Sequence, residues 1–203
     1  MNKTFFFLSF LILISCTDEP KKLHDYSVSV INSPLGPDTI IKAIPHFEFT
    51  NQLGNKVTNK TFKDDIYVVD FFFTSCPGIC PVMTKNMLRV YEKYNQDLKF
   101  LSHSIDQKRD DIPKLNKYAK KIGITNDEKW HFVMGSDEAI KKMAKNYMIL
   151  AYEDTTVAGG FEHGGQFVLV DKQQHVRGYY DGTDEEAVDQ LILDIAILKL
   201  ENR

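Results

Sequence analysis

The chain has 203 residues, 43% of them hydrophobic, with fourteen Phe, nine Tyr and a formal net charge of −3. That supplies the bulk for one domain with short appendages. The small charge, with no basic face and no block of like charge, argues against a nucleic-acid partner. At the amino terminus Lys3 precedes an apolar run from Phe5 to Ile14, broken only by Ser9. A run that short does not span a bilayer, which needs about 20 apolar residues, but it suits a secretory signal core. It ends in Leu13-Ile14-Ser15-Cys16, which looks like a bacterial lipobox. Residues 1–15 are therefore expected to be a lipoprotein signal peptide, with Cys16 carrying the lipid. The protein would then be anchored on the extracytoplasmic, periplasmic side of a bacterial membrane. A plain cleaved signal that removes Cys16 is the competing expectation.

Residues 16–40 are polar and rich in the turn formers Asn32, Ser33, Pro34, Gly36, Pro37 and Asp38, and read as a tether with one strand at Tyr26 to Ile31. The domain proper is expected over residues 41–203. Phe47 and Phe49 alternate with polar neighbours, and the break at Asn51 to Asn55 before Val57 signals a hairpin. Ile66 to Phe73 is almost wholly apolar apart from Asp70, the pattern of a central strand covered on both faces. Pro81 suits the first turn of a helix running to Tyr94. A strand follows at Leu98 to Ile105, a helix at Ile112 to Ile122 stopped by Gly123, and a strand at Trp130 to Met134. Ser136 can cap a helix with Asp137 and Glu138 in its first turn, ending near Tyr147. Two strands, Phe167 to Asp171 and Val176 to Tyr180, precede a last helix from Thr183 or Asp184. This order predicts an α/β fold with a mixed sheet flanked by helices and an extra amino-terminal β-hairpin, and it matches a thioredoxin-like fold, a name that rests in part on the resemblance given below.

If Cys16 carries lipid, only Cys76 and Cys80 remain, too few for a disulfide framework and close enough for a site. They bracket Pro77-Gly78-Ile79 between the central strand and a helix start. The unpaired amides and partial positive charge there favour thiolate, which is both nucleophile and soft metal ligand. Three residues separate the two Cys, where thioredoxin dithiols have two. Thioredoxin-like oxidoreductases also place a cis-proline opposite the dithiol, yet no proline occurs from Lys114 to Arg203. His163, in Gly159-Gly160-Phe161-Glu162-His163-Gly164-Gly165, stands in the loop expected to face the Cys pair, and its glycines permit close approach. Two thiolates and an imidazole form a soft trigonal set that suits Cu(I), or Cu(II) with one further donor. Structural zinc would want a fourth protein ligand, and no second Cys-x-x-Cys or His pair supplies it; catalytic zinc with a bound water is the competing expectation, though unusual for this fold.

These residues resemble those of the Sco/SenC family of copper-binding assembly factors. The matching segments are Asp70-Phe-Phe-Phe-Thr-Ser-Cys76-Pro-Gly-Ile-Cys80-Pro81, Ser104-Ile-Asp106-Gln-Lys-Arg109-Asp110, and Glu162-His163 before the penultimate strand. The resemblance runs from about Ile41 to the carboxyl end. It implies copper held by Cys76, Cys80 and His163, and a partner in the copper-receiving subunit of a respiratory oxidase or another copper protein. The receiving site would be the binuclear copper centre, loaded with copper or reduced at its thiols. Asp106 would act behind the ligands or on a partner-facing surface; capping or pairing with Arg109 is the plainer role. The chain departs from the family pattern at Ser75 (often His), Gly78 (often Asp), Gln107 (usually Pro) and in Glu-His-Gly where Asp-His-Ser is common.

Two other activities compete. A thiol–disulfide oxidoreductase acting on partner cysteines would use Cys76 and Cys80 alone. A peroxidase of the peroxiredoxin type would want Thr three residues before the reactive Cys, where Phe73 stands. His103 reads as packing or surface, while His24, His46, His131 and His175 receive no role. Met83, Met87, Met134, Met143 and Met148 read as core or helix-face residues.

Overall fold

Seven consecutive buried residues, Ile66–Phe72, form strand β5, and the main sheet grows outward from it. The structure is a computed structural model that describes residues 21–33, 36–126 and 128–201. The expected signal peptide and Cys16 lie outside the described residues. Before β5 come β1 (Val28–Ser33), β2 (Gly36–Ile41), β3 (Glu48–Asn51) and β4 (Lys56–Thr58). After it come α1 (Cys80–Tyr94), β6 (Leu98–Ser104), α2 (Ile112–Lys121), β7 (Trp130–Met134), α3 (Asp137–Asn146), β8 (Ala151–Glu153), β9 (Phe161–His163), β10 (Gln166–Val170), β11 (Val176–Asp181) and α4 (Glu185–Glu201).

The main sheet has seven strands in the order β11-β10-β5-β6-β7-β3-β4. β5, β6 and β7 are parallel, and the flanking pairs are antiparallel. Alternation along β5 divides the core. Ile66, Val68 and Phe72 join a cluster with Met83 and Met87 of α1, Leu115 of α2 and Leu191 and Ile195 of α4. Tyr67, Val69 and Phe71 join the opposite cluster with Ile140 and Met143 of α3, Phe47 and Phe62. Each large apolar side chain buried in this way contributes about 1.5–3 kcal/mol. The expected mixed α/β sheet with an amino-terminal hairpin is thus what the chain forms.

Three departures are local. The strand expected at Tyr26 to Ile31 is β1, and it has an unexpected partner in β2, read from sequence as turn and tether. The two flanks of that turn-rich stretch pair in register from Val28 opposite Ile41 to Ser33 opposite Gly36. From Leu23 onward the segment lies against the domain: Arg177 donates to the Leu23 and His24 carbonyls, and Tyr26 N to the Val176 carbonyl. Because β10 runs antiparallel to β5 with Val170 opposite Tyr67, this attachment is at the pole remote from Cys76.

Second, β8 and β9 pair only with each other and were not expected. Third, Met148 is 61% exposed rather than a core residue. α3 ends with Met148 N donating to the Lys145 carbonyl and Ile149 N to the Ala144 carbonyl, which forces Met148 to φ 54° and turns its side chain outward. α2 ends in the same pattern, but with Gly123 at φ 90°.

Candidate metal centre

β5 delivers the chain to Phe73, and the next seven residues turn back into α1. Asp110 fixes the start of this loop: its carboxylate accepts from Thr74 N at 3.2 Å, from Thr74 Oγ1 at 2.5 Å and from Ser104 Oγ at 2.6 Å. Cys80 is the first residue of α1, whose cap residue Ile79 offers no side-chain acceptor. Pro81 has no N–H and the Val82 and Met83 amides donate to the Ile79 carbonyl, so of the first helical amides it is that of Cys80 that serves the Cys76 sulfur. The Cys76 thiol is held well below its usual range. The Cys80 S–H donates to it, burial opposes, and His163 with the backbone N–H groups of Cys80 and Gly78 adds to the stabilisation. Cys80 is pushed the other way, by holding its proton toward Cys76 and by burial. Cys76 is half-buried and Cys80 buried, and neither is in a disulfide.

The imidazole arrives from another sheet. His163 ends β9, in register with Ala151 of β8, and is 6% exposed. The sequence placed it in a loop; the pairing is three residues long on each strand, too short to show as alternation. Its Nε2 lies 3.4 Å from Cys80 Sγ, while Nδ1 is buried without a hydrogen-bond partner among the described residues. The donor atoms of Cys76, Cys80 and His163 all lie within 4.8 Å of one another. An imidazole with one nitrogen at a thiol and the other unspent, beside a stabilised thiolate, fits a soft cation. A cavity of about 140 Å³, lined by Cys76, Gly78, Ile79, Val157, Glu162 and His163 among others, opens onto the trio.

Phe73 joins the halves. Its ring meets His163 edge-on with centroids 5.9 Å apart and Phe161 at 5.5 Å. Gly159, at φ 92°, lies so close that a Cβ there would stand 2.8 Å from the Phe73 ring and 3.0 Å from Pro77. From sequence, Phe73 has a place at the end of the central strand, where a peroxidase would want Thr, but no role at the site; its position directly before the Cys loop is the available signal.

Asp106, 1% exposed, spends its carboxylate on Arg109, accepting from the backbone N at 3.1 Å and from Nε. The pairing expected as the plainer role is the one seen, and Asp106 reaches the trio only through that arginine. His103 is fully buried between aromatic rings with neither ring nitrogen partnered among the described residues. His175 pairs with Asp25 at 2.9 Å, and His131 faces Asn51 at 3.3 Å. Asp70, under the site on β5, accepts from Ser102 Oγ, which in turn accepts from Trp130 Nε1 at 2.8 Å.

Fold and site together define a thioredoxin-like protein in which two thiols and an imidazole replace the simple dithiol. The SCO1/SenC family model matches residues 38–197, and the chain belongs to that family. A SCO1 protein homolog of Bacillus subtilis is 29% identical over 167 residues, covering 78% of this chain and 83% of the relative. A SCO1/SenC family lipoprotein from Bacillus anthracis has a solved structure with a TM-score of 0.70 and 30% identity, covering 77% of this chain and 95% of that one. BsSco, described with a disulfide switch and as a member of the Sco family of cytochrome c oxidase assembly proteins, superposes with a TM-score of 0.67. Its identity is 27%, and the match covers 77% of this chain and 92% of BsSco.

Proposed function

We propose that this chain carries one copper ion, Cu(I) or Cu(II), on Cys76, Cys80 and His163, and delivers it to the binuclear copper centre of a respiratory cytochrome oxidase. The observation that carries the reading is the convergence of two sulfurs and one imidazole nitrogen within 4.8 Å, from segments 83 residues apart. The set is soft and three-coordinate, which suits Cu(I), and the adjoining cavity leaves room for a fourth donor. Half-exposed Cys76 is the side from which a receiving ligand approaches. His163, the one donor outside the Cys loop, is the ligand that can withdraw while both sulfurs still hold the ion.

A second reading is favoured by the asymmetry of the thiols. The Cys76 thiolate attacks a partner disulfide, forming a mixed disulfide and expelling one partner thiolate. Cys80 then gives up its proton and attacks Cys76 Sγ, releasing the second partner thiol and leaving Cys76–Cys80 oxidised by two electrons. The same pair can reduce a target and then load it.

We further propose the extracytoplasmic side of a bacterial membrane as the working place, with signal peptide 1–15 and lipid on Cys16; the tether expected over residues 16–40 is shorter than that, because from Leu23 the chain lies on the domain and pairs as β1 and β2. Attachment at the pole remote from Cys76 supports this, since it points the site away from the anchor. Among the described residues no helix is long and apolar enough to cross a membrane. Loss of membrane retention in a Cys16→Ser variant is the expected result.

The test of the copper reading is metal content and thiolate-to-copper absorption of the purified protein after copper addition and dialysis, for the wild type and for Cys76→Ser, Cys80→Ser and His163→Ala. One copper per chain in the wild type, lost in both Cys variants, supports it. Copper held without His163 as firmly as in the wild type, with unchanged absorption, contradicts it.

A further inference from the structure

The thiols ride on the main sheet and the imidazole on a separate two-stranded one, which joins the main sheet by the chain into β10 and by Ala151 and Phe161 on the core, so contacts beyond the ladder set how closely His163 meets the thiols. We propose that Arg109 is a positioning residue that straps the His163 hairpin over the thiols and thereby governs how fast copper leaves; the inference rests on the copper reading above.

Arg109 sits in the turn after β6. Its root is fixed by buried Asp106, which accepts from both the backbone N and Nε, and by the Asp110 N to Asp106 carbonyl bond of 2.9 Å. Its tip crosses to the other half: a terminal guanidinium nitrogen donates to the Gly159 carbonyl. Between root and tip the guanidinium carbon stands 5.8 Å from the centroid of Phe73, on the thiol side, and 5.5 Å from that of Phe161, on the hairpin. One side chain therefore touches the turn, the Cys-loop platform and the strand that carries His163. A planar, delocalised cation can donate along its edge while lying over two rings, so lysine, which keeps only the charge, substitutes in part. The second cross-tie, Lys108 to Glu153 at 2.6 Å, joins two exposed side chains and holds little. A groove lined by Asp106, Arg109, Glu153, Val157 and Phe161 separates the turn from the hairpin around the strap.

The side-chain contacts of Arg109 run to Asp106, Gly159, Phe73 and Phe161 rather than to any of the three donor atoms; if the strap works by holding His163, its effect on copper must vanish once His163 is removed, and that is testable. In Arg109→Gln, copper loss from the loaded protein to a chelator should rise about tenfold, the factor given by contacts of this kind. Arg109→Lys should fall between Gln and the wild type. In a His163→Ala background Arg109→Gln should add nothing. A metal-free readout accompanies it: modification of His163 by diethyl pyrocarbonate should quicken in Arg109→Gln, while that of fully buried His103, which reports global unfolding, stays unchanged. An equal acceleration of copper loss with and without His163, or unchanged His163 modification, overturns the strap. A wild type that holds no copper overturns the copper reading instead, and the modification arm still decides the role of Arg109.

Discussion

The two halves of the site are built by different means. Cys76 and Cys80 follow a fully buried strand and open a helix whose Met83, Met87 and Val90 are core residues, so their geometry comes with the fold. His163 comes from a three-residue strand outside the main ladder, held by the fit of Gly159 against Phe73, by the buried Phe73–His163 edge contact and by Arg109. The difference puts two donors on the main core and the third on a separate hairpin, the division that the proposed role of copper carrier calls for.

The sharpest break is between the donors themselves. Cys76→Ser and Cys80→Ser should each abolish copper binding, whereas His163→Ala should leave the ion on two sulfurs and lose it at least a hundredfold faster; stopped-flow transfer to a chelator measures both.

Next is the footing of the thiol half. Burial raises Asp70 to about 6, and it lowers His103 to about 3. Protonated Asp70 stabilises the fold fully below the unfolded carboxylate range, and that contribution is lost as pH rises through 6. Neutral His103 gives stability present above the unfolded imidazole value and lost as pH falls toward 3. Between about pH 4 and 6 the two slopes, each up to about 1.4 kcal/mol per pH unit, oppose one another. His103→Phe should therefore gain stability as pH falls through that window, and Asp70→Asn should lose it. Urea midpoints across the window measure this, and parallel profiles for both variants and the wild type would contradict it.

Smaller effects belong to the histidine half. Gly159→Ala must accept a positive φ and a Cβ at 2.8 Å from Phe73, costing about 1–2 kcal/mol locally. It should raise the copper-loss rate while leaving Cys76 reactivity toward thiol reagents unchanged. Smallest is Met148→Gly, at the root of β8. It removes the strain of a left-handed non-glycine residue and should stabilise the fold by up to about 1 kcal/mol, read by thermal unfolding.

The same divide separates what the sequence revealed from what it hid. The Cys loop was legible because its signals are local: an apolar strand, two prolines around a tight turn, a helix start. The helix ends at Gly123 and the cap at Ser136 were legible for the same reason. His163 was found through its glycines and its place before β10, but its strand was not, since three residues are too few to show a period. Arg109 lay inside a motif already quoted, yet its target Gly159 is fifty residues away, and no spacing rule links a cation to a carbonyl at that distance. Met148 was misplaced because the helical period carries through Tyr147 and nothing in a methionine announces a left-handed backbone.

The central claim is that one ion is held jointly by both halves. X-ray absorption at the copper edge of the loaded protein tests it most directly. The account predicts two sulfur neighbours and one imidazole nitrogen in the wild type, with the nitrogen replaced in His163→Ala; a sulfur-only shell, or a spectrum that His163→Ala leaves unaltered, would contradict it.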